Sequence, residues 1–232
     1  MKVDVLPDAD AVAEKAASLI ASEARAKVAA QGRFSLAVSG GRTPWRMLQL
    51  LADEDVPWNA VHLFQVDERV APAGNPERNL THLEASLLCR VTLSAGQVHA
   101  MPVEAKDLVA AAAQYARELA AVCGVPAVLD LVHLGLGPDG HTASLVPGDA
   151  SLEVTSTDVT LSGPYQGRKR MTLTYPALDR ARTILWLVTG ADKVPMFERL
   201  KAGDRTIPAG RVRSDRAVVL ADEAATGTAP QT

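Results

Sequence analysis

The runs FSLAV (residues 34–38), AVHLFQV (60–66), VLDLVHL (128–134), TILWLVTG (183–190) and AVVLA (217–221) recur along the chain, separated by longer stretches with helical spacing. Runs that are apolar at successive positions suit strands buried on both faces, and strands alternating with helices suit an α/β sheet. VDVL (3–6) reads as a first strand, after which Asp8 or Asp10 caps an alanine-rich helix to about Gln31, where Gly32 stops it. PWRMLQLLAD, the stretch from about Pro76 to Leu88, and EAKDLVAAAAQYARELAAV before Gly124 read as helices, as do Pro176–Ala181 and Ala191–Ala202. VHAM and MTLT read as further short strands. The expected fold is α/β, a mostly parallel sheet with helices on both faces. Residues 1–221 are expected as one domain, and 222–232 as a flexible tail because DEAATGTAPQT is small and polar.

Charge narrows the function classes. A formal net charge of −3 and a pI near 6.0 leave no basic field for nucleic acid or an anionic membrane. The opening MKVDVLPDADAVAEKAA is acidic where a secretory signal is basic and then apolar, and no apolar run nears the roughly 20 residues of a membrane span. A cytoplasmic enzyme or sensor of small molecules is the expectation. Cys89 and Cys123 have neither metal nor redox spacing and are expected to be small buried apolar residues.

In open α/β sheets ligands bind at the carboxyl ends of strands, so the loops that follow strands carry the functional reading. In SGGRTPW, Ser39, Gly40 and Gly41 precede Thr43 at an expected N-cap and Pro44 at the first helical position. Free N–H groups at such a helix start, beside two glycines and two hydroxyls, form an anion site. VDERVAPAGNPERNL places Asp67, Glu68 and Arg69 at a strand end, with Arg78 and Asn79 beyond, where they can orient a polyhydroxy substrate or pair with one another. VTGADKVPMF sets Lys193 in the first turn of a helix, a position the helix dipole disfavours for a cation unless an anion is bound there.

The fourth loop, GLGPDGHTASL (135–145), formally matches the G-x-G-x-x-G fingerprint of dinucleotide-binding folds. Asp139 would repel a pyrophosphate, Pro138 removes a donor, and no regular helix follows Gly140, so the expected architecture is Rossmann-like without dinucleotide binding. Asp139-Gly-His141 suits acid–base work instead: an imidazole titrates near neutrality, and a neighbouring carboxylate can fix its tautomer or stabilise the imidazolium. His62, His82, His99 and His133 have no partner nearby in sequence and are expected to be structural. No second ligand stands at zinc-like spacing from His141, so no metal is expected.

Together, SGGRTP, VDERVAPAGNPERNL, HLGLGPDGHTASLVPG, RMTLTYPAL and VTGADK closely resemble the 6-phosphogluconolactonases, over a span from about Val3 to Ala221. The resemblance implies hydrolysis of a phosphosugar δ-lactone in the oxidative pentose phosphate pathway, without metal or cofactor. It implies His141 as general base with Asp139 in the same loop, and the phosphate on Ser39, Gly40, Gly41 and Thr43 with Arg69 and Lys193 as counter-cations. Asp67 and Asn79 are implied substrate contacts, and Arg170 matches a family arginine in the pocket. Arg78 stands where many relatives carry a small polar residue, and the sequence does not say which of Arg69, Arg78, Arg168 and Arg170 meets phosphate. A monomer or weak dimer is expected, with glucose-6-phosphate dehydrogenase as a candidate transient partner and neither nucleic acid nor membrane bound. Glucosamine-6-phosphate deaminase is the nearest rival, although the acidic residue expected shortly after the histidine is missing. A sugar-phosphate sensor on the same fold is the rival of another class, although no basic helix-turn-helix segment is present.

Overall fold

A computed structural model describes residues 1–228. The chain runs β1 (Lys2–Leu6), α1 (Ala9–Gln31), β2 (Phe34–Val38), α2 (Arg42–Leu51), β3 (Val61–Gln65), β4 (Asp67–Arg69) and α3 (Asn79–Leu83). It continues through β5 (Val98–His99), α4 (Leu108–Cys123), β6 (Leu131–Gly135), β7 (Val159–Tyr165), β8 (Arg168–Leu173) and α5 (Tyr175–Asp179). The last elements are β9 (Thr183–Val188), α6 (Val194–Lys201), α7 (Pro208–Arg211), β10 (Ala217–Asp222) and α8 (Glu223–Thr226).

The apolar runs pair in parallel as a seven-stranded sheet in the order β1-β10-β9-β6-β2-β3-β5. Successive residues of each strand face opposite sides, so the sheet has two apolar faces. On one, Leu36, Leu131 and Leu185 pack beneath Ile20 of α1 and Met47, Leu48 and Leu51 of α2. On the other, Val132, Leu134 and Trp186 meet Tyr115 and Leu119 of α4 and Phe197 and Leu200 of α6. Helices therefore cover both faces, as the continuous apolar runs require.

From β2 the chain winds one way to β3 and β5, and from β6 the other way to β9 and β10, so strand order reverses between the neighbours β2 and β6. Such a switch point splays the following loops apart and opens a crevice at the strands' carboxyl ends. The glycine loops after β2, β6 and β9 all leave the sheet there.

Not every segment falls where periodicity places it. MTLT lies largely in β8, outside the main sheet: β4, β8 and β7 form a separate antiparallel sheet, with Asp67 opposite Thr172 and Arg69 opposite Arg170. This small sheet hangs from the carboxyl end of β3 through Val66, whose N–H donates to Val38 and whose carbonyl accepts from Leu173. The helix expected over 76–88 starts at Asn79 and passes into a wider π turn over Glu84–Leu88. The helix after β9 opens with a 3-10 turn, Ala191–Lys193. At the C-terminus Asp222 accepts a hydrogen bond from the N–H of Ala225 at 2.7 Å and so caps α8 within the stretch expected to be frayed, while positions 229–232 lie outside the described residues. Cys123 is buried as expected, but Cys89 is exposed at the end of the π turn.

Candidate active site

The loop that carries His141 starts where β6 ends. Gly137 donates to the carbonyl of His141 at 2.8 Å, and Gly140 turns the chain with φ +82°, a left-handed value that glycine adopts freely. The tight loop folds His141 back over Gly137, where a β-carbon would lie 2.0 Å from the imidazole Nδ1. The loop also brings Asp139 alongside: its Oδ1 stands 2.5 Å from His141 Nδ1 and accepts the backbone N–H of His141 at 3.1 Å. Burial alone would raise the Asp139 carboxyl, but hydrogen bonds from the imidazole and the backbone N–H, with the histidine's charge, hold it below the ordinary carboxylate value. An ionised Asp139 accepts, so Nδ1 carries the proton and Nε2 is the nitrogen left for a reacting molecule.

Beside this pair the strands enclose a cavity of about 220 Å³. Ser39 and Gly40 form the wall after β2, and Asp67 and Arg69 the wall from β4. Asn79, His141, Arg170 and Lys193 complete the polar lining. Gly41 and Thr43 line an adjoining cleft of about 530 Å³ that shares Gly40 and Lys193 with the first. Asp139 lies behind His141 rather than in the cavity wall.

The glycine loop differs in detail from its sequence reading. Gly41, with φ +141°, takes the N-cap position, because α2 begins at Arg42, and Thr43 sits inside the first turn with its hydroxyl 2.7 Å from that of Thr189. Gly41, Arg42, Thr43 and Pro44 line the cleft, so the start of α2, whose first N–H groups have no partner within the helix, borders it. Gly40 is fixed by space: a β-carbon there would fall 2.0 Å from Asn79 Oδ1. Ser39 bonds inward, its hydroxyl donating to the carbonyl of His133 at 3.1 Å and its N–H to His133 Nδ1 at 3.2 Å. His133 is wholly buried, and burial pulls its pKa down to about 3.

The acidic stretch after β3 divides by role. Asp67 is buried yet lines the cavity, with Ser144 donating its hydroxyl to Oδ2 at 2.6 Å and Asn79 donating Nδ2 to its carbonyl at 2.9 Å. Glu68 has no exposed surface and acts as an anchor. It accepts from Gln65 Nε2 at 2.8 Å, from the N–H of Arg69 at 2.8 Å, and from the N–H groups of Asn79 and Leu80 at 2.7 and 2.8 Å. Helix α3 therefore starts on a buried carboxylate, which suits the positive end of its dipole.

The arginines separate just as clearly. Arg69 and Arg170 line the cavity; Arg78 is buried away from it, against Glu68 at 3.5 Å and Glu104 at 3.1 Å; Arg168 pairs with Glu77 at 2.7 Å on the rim of an outer groove. Arg78 is thus a packing cation, which the sequence left open. Burial, reinforced by the charge of Arg69, lowers the Arg170 pKa, and its buried Nε has no hydrogen-bond partner. Lys193 holds Asp192 at 2.8 Å from its place in the 3-10 turn.

Of the other histidines, His82 stacks on Trp45 and His62 meets His99, Nδ1 to Nε2, at 3.1 Å, partnerships made in space rather than in sequence. The sequence reading missed Tyr165. Its hydroxyl donates to Asp139 Oδ2 at 3.1 Å, 26 positions away in the chain. The available signal was PYQGR, in which Gln166-Gly167 is a two-residue hairpin turn that leaves a tyrosine at the strand end.

Comparison with known proteins gives the family of the chain. The family described as glucosamine-6-phosphate isomerases/6-phosphogluconolactonase matches residues 7–220. The 6-phosphogluconolactonase of a Nostoc species is 34% identical over 204 residues, covering 86% of this chain and 85% of its own, and that of a Synechocystis species is 36% identical over 196 residues, covering 83% and 81%. The crystal structure of 6-phosphogluconolactonase from Thermotoga maritima superposes with a TM-score of 0.85 at 27% identity over 95% of this chain and 98% of that one. A monomeric glucosamine-6-phosphate deaminase superposes with a TM-score of 0.83 at 19% identity, which shows the shared fold alone. With the match running from the first helix to the last strand, the chain belongs to the glucosamine-6-phosphate isomerase/6-phosphogluconolactonase family.

Proposed function

We propose that the chain hydrolyses 6-phospho-D-glucono-1,5-lactone to 6-phosphogluconate, the lactonase step of the oxidative pentose phosphate pathway, with His141 as general base. One observation carries the mechanism: a histidine held by a carboxylate at 2.5 Å opens onto a cavity whose other polar groups include Arg69, Arg170 and Lys193. The lactone's phosphate rests on Gly40, Gly41, the start of α2 and Lys193, with Arg69 as the second counter-cation. Ser39 and Thr43 shape that seat, and Asp67 and Asn79 meet the sugar hydroxyls. Anchoring the phosphate brings C1 to His141 and replaces a solution encounter by an oriented one.

Water then adds to C1 as its proton passes to Nε2 of His141. Asp139 stabilises the imidazolium that forms, which needs no proton of its own to move. The tetrahedral intermediate collapses with cleavage of the bond from C1 to the ring oxygen, and the imidazolium returns its proton to that oxygen. The new carboxylic acid ionises on release. The lactone opens slowly unaided, so a general base and an anchor suffice. The same reading places the enzyme in the cytoplasm and leaves docking to glucose-6-phosphate dehydrogenase as a separate proposal, tested by co-sedimentation of the two proteins.

The test is the rate of lactone disappearance with enzyme and without, together with ammonia release from glucosamine 6-phosphate. Fast lactone loss without ammonia is the expected result. Ammonia release, or binding of 6-phosphogluconate with no hydrolysis, would replace the proposal by the deaminase or the sensor.

A further inference from the structure

Tyr165 lies outside the cavity lining, yet its hydroxyl reaches both Asp139 and His141. Hairpin β7–β8 presents it at the end of β7, on a turn in which Gln166 and Gly167 have φ of +52° and +79°. Both values are left-handed, as the two-residue hairpin turn that matches strand twist requires. A glutamine rarely adopts this conformation, and here its Oε1 is 3.3 Å from Arg170 Nη2, which also reaches the Tyr165 carbonyl at 3.4 Å. The strained turn is thereby tied to a cavity arginine.

Tyr165 faces the catalytic pair from the other side. Its hydroxyl donates to Asp139 Oδ2 at 3.1 Å, while Oδ1 of the same carboxylate takes the imidazole, and it stands 3.5 Å from His141 Nδ1. The two rings meet edge to face at 5.1 Å, and the Arg170 guanidinium carbon lies 4.9 Å above the tyrosine ring. With Gly137 closing one side of the imidazole and Tyr165 the other, His141 has one position from which Asp139 can hold it.

We propose that Tyr165 is a positioning residue: it clamps the free oxygen of Asp139 so that the other oxygen selects the Nδ1-protonated tautomer of His141, and it links this pair to Arg170 in the cavity. The proposal rests on His141 acting as the base. The hydroxyl is a donor across the working pH range, since burial first and the Asp139 charge next raise its pKa above the ordinary phenol value. Without this donor Asp139 can swing, and the imidazole samples the tautomer whose Nε2 is already protonated and useless to water. The charged groups that bear on the cluster are Asp139 and His141 on the catalytic loop and Arg170 on β8, with Arg69, Asp67 and Glu77 acting on Arg170.

Two variants separate hydroxyl from ring. Tyr165→Phe keeps the Arg170 stack and the edge contact, and its kcat is expected to fall about tenfold, the worth of one hydrogen bond to a charged group. Its KM is expected to stay within about twofold, because Tyr165 is not in the cavity wall. Tyr165→Leu removes the ring as well, frees Arg170, and raises KM in addition. Nitrogen-15 spectra of the resting enzyme supply a readout that needs no substrate. Wild type is expected to show one imidazole tautomer at His141 and Tyr165→Phe a mixture. An unchanged kcat or an unchanged tautomer in Tyr165→Phe overturns the proposal. Absence of lactone turnover in the wild type would count against the reaction and leave the spectra to judge the clamp.

Discussion

Replacing Gly137 by alanine tests whether the placement of His141, and not merely its presence, sets the rate. The added β-carbon would lie 2.0 Å from Nδ1, 2.2 Å from Cε1 and 2.7 Å from Cγ of His141. Ordinary contacts between such atoms are about 3.5 Å, so the ring must retreat by more than 1 Å. It cannot do so and keep the 2.5 Å bond to Asp139 or the 3.1 Å reach of Tyr165 to that carboxylate. A misplacement of about 1 Å costs on the order of 10²-fold in rate, or about 2.7 kcal/mol of barrier. The backbone itself accepts alanine, since Gly137 is not among the glycines with left-handed φ, so the fold should survive. The assay is kcat and KM for the lactone alongside a thermal melt: kcat is expected to fall about a hundredfold, with KM nearly unchanged and the melt close to wild type. A variant with wild-type kcat would refute the claim that the loop fixes the base by close packing.

Other consequences follow from the same contacts. Glu68→Gln leaves the buried Arg78 balanced by the more exposed Glu104 and weakens the start of α3, so urea unfolding should show a loss of about 3 kcal/mol; a loss below about 1 kcal/mol would mean that Glu68 is not the anchor described. Lys193→Ala should lower kcat/KM by about 10- to 100-fold, chiefly through KM, and an unchanged KM would remove Lys193 from the phosphate seat. His133 adds an acid sensitivity. As pH falls below about 6.5 the unfolded chain binds a proton that the folded His133 refuses until about pH 3, so stability is complete above that window and declines through it. At pH 5 this one group should cost about 2 kcal/mol, and a His133→Asn variant, which keeps an acceptor near the Ser39 N–H, should lose correspondingly less between pH 7 and 5. Equal losses in the two proteins would assign the effect elsewhere.

Local signals dictate most of the main sheet and the loop that carries Asp139 and His141. Strands β2, β6 and β9 are short apolar runs, and the glycines that follow two of them serve close approach at 40 and 137, where a β-carbon would meet Asn79 and His141, and a left-handed φ at 41 and 140. The Asp139–His141 pair is legible because two residues of separation on a tight turn suffice to make it. What was not legible depends on distance along the chain. MTLT has strand composition, but its partners are β4 and β7 rather than the main sheet, and composition does not choose a partner. Thr43 has the chemistry of an N-cap, yet its hydroxyl finds Thr189 across the cleft and Gly41 takes the position. Glu68 and Arg78 carry charges that suit a binding loop, and only packing reveals that they neutralise one another in the interior. Tyr165 reaches the Asp139–His141 pair from a hairpin 24 positions beyond His141, a contact no spacing rule encodes.

The central claim is that His141 is the base of a lactone hydrolase. It is tested most directly by generating 6-phosphogluconolactone in place with glucose-6-phosphate dehydrogenase and following its loss with wild type, with His141→Ala and without enzyme. The account predicts fast hydrolysis by the wild type and a fall of about 10²–10⁴-fold in kcat for the variant with KM little changed. A variant as fast as the wild type would move the base elsewhere, and a wild type no faster than the spontaneous reaction would contradict the account altogether.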